Sequence, residues 1–223
     1  MTIAVLGATG MVGSRVITEA SARGHRVLAL SRKLASKDPN VTTLAVEVSH
    51  AHAVREALTG SVPNGTVDAV VLTVRTVPVD EEFLVGATRT VLDIAAQFGI
   101  RVLVVGGAGA LRSPDCHDLR VADNPAYVSP ELKTVAAAGI AQLRTCQAHT
   151  GAADWVYLSP PALLEPGERT GRYRRGTDTL LTSAEGGSWI SAEDLAVAVV
   201  DELEAPGPEH HITVVHRDKR PSA

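Results

Sequence analysis

Short runs of uninterrupted apolar residues alternate along this chain with longer stretches in which apolar positions recur every three or four residues. The runs predict strands at 3–6, 26–30, 42–46, 67–73, 101–105 and 154–158. Val70-Val71-Leu72-Thr73 and Val102-Leu103-Val104-Val105 are nearly all apolar, as strands covered on both faces should be. Between the runs, the longer period predicts helices at 11–23, near 50–58, at 81–98 and at 131–149. The helix at 81–98 carries Phe83, Leu84, Ala87, Val91, Ile94, Ala95 and Phe98 on one face and stops at Gly99, a C-cap residue. Ser191, followed by Glu193-Asp194, opens a further helix that runs to about 204, and 212–215 reads as a last strand. Strands alternating with helices predict an α/β fold, a Rossmann-like doubly wound parallel sheet, with a small C-terminal substrate-side region. The whole chain, 1–223, reads as a single domain. Two stretches without a period, 106–130 and 159–188, leave the carboxyl edge of the sheet and are the expected walls of a substrate pocket; the end from Arg217 onward is expected to fray.

The first strand runs directly into Gly7-Ala8-Thr9-Gly10-Met11-Val12-Gly13 and then into a helical pattern. A turn of this kind aims backbone N–H groups and a helix N-terminus at an anion. Gly7 would permit the turn, Gly10 would let a pyrophosphate approach the backbone, and Gly13 would let helix and strand pack closely. With Thr9, Met11 and Val12 they form the expected pyrophosphate site of a dinucleotide. At the end of the second strand, where an NAD-selective site places a carboxylate, the chain reads Ser31-Arg32-Lys33. A guanidinium fork, a hydroxyl and a point charge suit a 2′-phosphate, so NADP(H) is expected over NAD(H). Glu47 and Val48, at the end of the third strand, are expected at the adenine, and Thr73, Val74 and Arg75 at the middle of the cofactor.

Composition narrows the partners. The net charge of −4 offers no general attraction to nucleic acid, and aromatics are too few, at 3%, for a base-stacking platform. No apolar run approaches the roughly 18 residues of a membrane span, and no basic region precedes the first strand, so a soluble, cytoplasmic protein is expected. Cys116 and Cys146 fall in no paired or metal-like spacing, and Cys116-His117-Asp118 lacks a second cluster to complete a metal site. The arginines at 169, 172, 174 and 175 are expected to guard the pocket or steer an anionic acceptor. Trp155 reads as core and His210-His211 as surface.

The glycine turn, the basic end of strand two and the length resemble the atypical short-chain dehydrogenase/reductase superfamily. Val-Val-Gly106-Gly107-Ala108-Gly109-Ala110-Leu111, Asp154-Trp155-Val156-Tyr157-Leu158-Ser159-Pro160-Pro161, Pro166-Gly167-Glu168-Arg169-Thr170-Gly171-Arg172-Tyr173 and Ile190-Ser191-x-x-Asp194-Leu195-Ala196 narrow the resemblance. Together these are similar to bacterial NAD(P)H-binding proteins of the NADH-flavin reductase group, relatives of biliverdin reductase B and of the nitrogen-metabolite-repression regulators. The resemblance spans essentially the whole chain. It implies NADPH as hydride donor and a flavin or similar flat conjugated molecule as the small-molecule acceptor. It also places Gly107, Ala108 and the residues up to Leu111 beside the nicotinamide, where some relatives carry a serine and this chain carries small apolar residues. Ser159 and Pro160 are expected near the nicotinamide amide.

The superfamily's Tyr-x-x-x-Lys is missing. Tyr127 is followed by Glu131 at the fourth position, and Lys133 lies at the sixth, with Pro130 between. A Tyr127–Lys133 pair in space and His117 in the pocket loop remain as candidate proton donors. Three functions stay open: a reductase of flavins or quinone-like compounds, a non-catalytic dinucleotide sensor, and a tailoring reductase or epimerase of specialised metabolism. A monomer or a homodimer is compatible with each.

Overall fold

The computed structural model describes residues 1–32, 38–60, 67–183 and 186–217. Its apolar runs become the middle of one sheet. Strands β1 (Thr2–Leu6) and, later in the chain, β4 (Ala69–Leu72) are buried at every position. They show no alternation because neither face meets water. With β2 (Arg26–Ser31), β3 (Val41–Ala45), β5 (Arg101–Val105) and β6 (Trp155–Ser159) they form a parallel array in the order β3-β2-β1-β4-β5-β6. β3, at the edge, is buried at no position. The strand order reverses between β1 and β4, which places a crevice beyond their carboxyl ends.

Five helices cover the two faces. On one face α1 (Met11–Ala22) packs against α5 (Ala192–Glu204) over a cluster that includes Ile3, Val5, Val71 and Leu158. On the other, α2 (Ala51–Gly60), α3 (Glu81–Phe98) and α4 (Lys133–Gln147) cover Ala4, Leu6, Leu72 and Val104. The ends of α3 follow from its sequence. The Asp80 carboxylate accepts from Phe83 N at 3.0 Å, Glu81 and Glu82 occupy the first turn, and Gly99 closes the helix at φ 67°. Its buried face is the expected one at Leu84, Ala87, Val91, Ile94 and Ala95, with Thr88 and Leu92 added and Phe98 left out. Phe98 is 40% exposed beneath the Arg55 guanidinium, while Thr88 is fully buried because its hydroxyl donates to Leu84 O. Pro130 delays α4 to Lys133, behind the 3₁₀ turn Pro130–Leu132.

The stretches expected to be irregular are partly ordered. Residues 106–130 hold two short 3₁₀ turns, Ala108–Ala110 and Val121–Asp123. Residues 159–188 hold β7 (Leu163–Glu165) and β8 (Tyr173–Gly176). β7 pairs with β9 (Trp189–Ser191), and β10 (His211–His216) extends the main sheet parallel to β6 and carries β8 antiparallel on its far edge. Strands of three or four residues are too short to display a period, and Tyr-Arg-Arg-Gly has the charged composition of a sheet edge. Among the described residues, no helix is long and apolar enough to cross a membrane.

Candidate functional site

The glycine turn between β1 and α1 sits at the strand-order reversal, and its glycines are required by contact. Gly7 has φ 90°, and a Cβ on it would lie 2.7 Å from Thr73 Oγ1 at the end of β4. A Cβ on Gly13 would lie 2.2 Å from the Gly7 carbonyl oxygen. Gly10 caps α1 with an ordinary φ of −72°, and a Cβ there would meet only the Gly7 carbonyl oxygen, at 3.2 Å. Thr73 ties the turn down, since its hydroxyl donates to Leu6 O at 3.1 Å and its N–H to the same oxygen at 2.9 Å. Thr9, Gly10 and Met11 are exposed and Val12 is half-buried. Among the described residues no side chain caps α1, no acidic residue stands in its first turn, and its N-cap Gly10 and first residue Met11 are exposed. A cradle that a Cβ would fill, below an uncapped helix N-terminus, fits a pyrophosphate.

Beside it, β2 ends at the buried Ser31, and Arg32 follows, exposed. Lys33 lies outside the described residues. β3 stops at Ala45, so Glu47 and Val48 stand beyond the strand; Glu47 is half-buried and Val48 belongs to the core. β4 likewise stops at Leu72, leaving Thr73 and Val74 half-buried and Arg75 exposed just past its end. These residues leave from the same edge of the sheet as the glycine turn.

Farther along that edge, Gly107 and Ala108 follow β5. Gly106 allows Tyr157 to pass beneath them: a Cβ on Gly106 would fall 1.9 Å from the Tyr157 hydroxyl oxygen. That hydroxyl donates to Gly139 O at 2.8 Å and ties β6 to α4; burial pushes its pKa well above the usual tyrosine range. Ser159 and Pro160 end β6 and are buried. Ser159 Oγ lies 2.9 Å from Nε2 of His211, a residue expected at the surface. Strand alternation turns His211 inward, with its ring edge-on to Tyr157 at 5.5 Å. His210 faces outward and bonds Trp155 O at 2.7 Å.

Each of the three candidate proton donors has its own local setting. Tyr127 stays in the loop before α4, as Pro130 implies, half-buried with its hydroxyl engaged by Asp115. Burial first, then the Asp115 charge and hydrogen bond, raise its pKa, the opposite of what a neighbouring lysine does. Lys133 is exposed at the start of α4, and His117 is exposed in a turn, where its carbonyl accepts from Arg112 at 3.0 Å. The arginines expected around the pocket are also otherwise engaged. Arg169 forks onto Glu19 of α1 at 2.6 and 2.8 Å. Arg175 pairs with Glu202 and Glu209, and Arg174 donates to Thr182 O. Both cysteines are free thiols, and no group of three metal-ligating side chains occurs among the described residues.

A glycine turn at the reversal of a β3-β2-β1-β4-β5-β6 sheet defines a Rossmann-like dinucleotide-binding protein. Residues 7–206 match the NAD(P)H-binding family, and the chain belongs to it. The uncharacterized protein YwnB of Bacillus subtilis is 36% identical over 208 residues, covering 92% of this chain and 93% of that one. The structure is similar to that of a candidate epimerase from Bacteroides thetaiotaomicron, with a TM-score of 0.85, 30% identity and 99% of each chain covered. It is also similar to a candidate NADH-flavin reductase from Streptococcus pneumoniae, with a TM-score of 0.83, 27% identity, and 97% of this chain and 100% of that one covered.

Proposed function

We propose that the protein is an NADPH-dependent oxidoreductase that passes a hydride to a flavin or quinone-like acceptor in the cytoplasm. The observation that carries this reading is the acid-free, open N-terminus of α1 beside a β2 end that reads Ser31-Arg32. The likeness to the streptococcal protein supports the choice of acceptor. NADPH, when bound, supplies the hydride. The backbone N–H groups of the glycine turn hold its pyrophosphate, Arg32 and Ser31 take the 2′-phosphate, and Glu47 and Val48 flank the adenine. Thr73, Val74 and Arg75 line the middle, while Gly107, Ala108, Ser159 and Pro160 set the nicotinamide against the acceptor. The protein's contribution is then stacking geometry and exclusion of water.

A flavin accepts a hydride without the dedicated acid that a ketone requires. A tyrosine held by Asp115 rather than by a lysine is therefore compatible with flavin reduction. The same contact suits a dinucleotide sensor that performs no chemistry. Following NADPH and NADH at the nicotinamide absorbance band, with FMN, FAD, riboflavin and a quinone offered in turn, separates the two. Faster NADPH oxidation with at least one acceptor is the expected result. Tight NADPH binding without turnover on any of them overturns the reductase in favour of the sensor.

A further inference from the structure

Between its two 3₁₀ turns, the segment after β5 folds back as a short hairpin. Arg112 pairs antiparallel with Arg120, Ser113 N donates to Leu119 O at 2.8 Å, and Arg112 N donates to Asp178 O at 2.7 Å. Beside it lies a cavity of about 310 Å³, lined among others by Ala110, Leu119, Leu143, Arg120, Gln147 and His211. Residues directly opposite in an antiparallel pair share a face, so the hairpin sets two like charges over one space. Only Arg112 is compensated, by Asp178 at 3.0 Å. Arg120 is half-buried and donates to Ala110 O at 3.1 Å. No carboxylate lies within ion-pair distance of it among the described residues. Asp118 also lines the space, but from an exposed position.

His211 does not add to this charge. Burial, the largest cause, and the Arg120 guanidinium push its pKa down to about 4, against the opposing pull of Asp178. The lining also includes the Arg112–Asp178 pair and the exposed His117 and Asp118; at neutral pH Arg120 is its one guanidinium without an ion-pair partner among the described residues, beside an amide, a neutral imidazole and three aliphatic side chains. Buried or half-buried cations of this kind are normally paired. A carboxylate matches the guanidinium fork and an attached apolar body matches the leucines.

We propose that this cavity binds a small carboxylate with an apolar body, its carboxylate on Arg120 and its hydrocarbon against Ala110, Leu119 and Leu143. The site is separate from the pyrophosphate cradle. β10, which carries His211, stands four strands from β1, about 19 Å at ordinary strand spacing. Through His211 an occupant would reach Ser159 at the end of β6.

Benzoate and its uncharged isostere benzamide test the assignment on the whole protein, read by NMR at the Leu119 and Leu143 methyl groups and the His211 ring. Benzoate is expected to shift these signals saturably, with benzamide roughly tenfold weaker or more. Arg120→Gln should weaken benzoate by a similar factor and leave NADPH affinity unchanged, and Arg120→Lys should restore part of the loss. The proposal fails if benzoate causes no saturable shift up to about 20 mM, or if benzamide binds equally well. It fails too if saturating NADPH abolishes the response. None of these readouts depends on turnover, so a negative result here leaves the reductase reading untouched.

Discussion

Thr170 donates both its backbone N–H, at 2.7 Å, and its hydroxyl, at 2.6 Å, to the carboxylate of Asp194. Gly171 N adds a third bond at 2.7 Å, and Asp194 itself is fully buried in the first turn of α5. Ser191 completes the junction, accepting from Asp194 N at 3.0 Å and donating to Glu168 O at 2.9 Å. The residue before Asp194, Glu193, accepts from Gly167 N at 2.7 Å and pairs with Arg15 of α1 at 2.6 Å. Two sequence segments that carry the family resemblance separately, around 166–173 and 190–196, thus form one clamp. It pins the loop before β8 onto the start of α5.

Asp194→Asn should break that clamp. An amide that keeps its oxygen on the Thr170 and Gly171 N–H groups turns its nitrogen towards the Thr170 hydroxyl, which can then no longer donate to it, and the three bonds lose the assistance of the carboxylate charge. The expected loss is about 2–4 kcal/mol in chemical denaturation, with new proteolytic cleavage between 166 and 172. Ser191→Ala removes a cap and should cost about 1 kcal/mol. Equal, small losses for both variants would contradict the role given to the carboxylate.

The glycine turn separates folding from binding. Gly13→Ala places a Cβ against the Gly7 carbonyl and should destabilise the fold by about 1–3 kcal/mol while lowering NADPH affinity. Gly10→Ala has a normal φ and only a 3.2 Å contact to relieve, so its fold should lose about 1 kcal/mol or less. If the pyrophosphate approaches Gly10, however, the methyl group should weaken NADPH binding by roughly tenfold or more. Thermal melts beside fluorescence titration of NADPH give both readings. A Gly10→Ala protein with unchanged affinity would contradict the cradle.

His211 predicts a pH effect whose sign is fixed by burial. Its folded pKa of about 4 lies below the ordinary histidine value of 6.5, so the unfolded chain binds a proton that the folded chain refuses. The stability contributed by the neutral ring is complete above pH 6.5 and is lost as pH falls towards 4, at up to about 1.4 kcal/mol per pH unit. Denaturation at a series of pH values should show this slope in the native chain. The slope should be shallower in His211→Gln, and identical slopes would contradict the assignment.

The glycine turn was legible in the sequence because backbone contact enforces it: no other residue fits at Gly7 against Thr73 or at Gly13 against Gly7. α3 was legible because Asp80 and Gly99 mark its ends. β8 was not, since what specifies it is the ladder with β10 and the pairing of Arg175 with Glu202 and Glu209. All of these are long-range. The burial of His211 was hidden for a similar reason. Adjacent histidines look alike until the register of β10 against β6 decides which one faces Tyr157. Tyr127 shows the limit of spacing: its distance from Lys133 in sequence carries no sign of the Asp115 contact that holds its hydroxyl.

If Arg32 takes the 2′-phosphate, as proposed, cofactor choice turns on it. It stands exposed after β2, with Ser31 before it and no carboxylate at the position where an NAD-selective site uses one on the ribose hydroxyls. Arg32→Asp exchanges a phosphate fork for an acceptor of those hydroxyls and repels a 2′-phosphate. NADPH affinity should fall by roughly tenfold to a hundredfold, while NADH affinity should hold or rise. The exposed position separates this change from a folding defect, since surface substitutions usually shift stability by about 0.5 kcal/mol or less. Parallel titrations of the two nucleotides against native and variant protein decide the matter. Equal weakening of both would move the 2′-phosphate away from Arg32 and remove the basis for preferring NADPH.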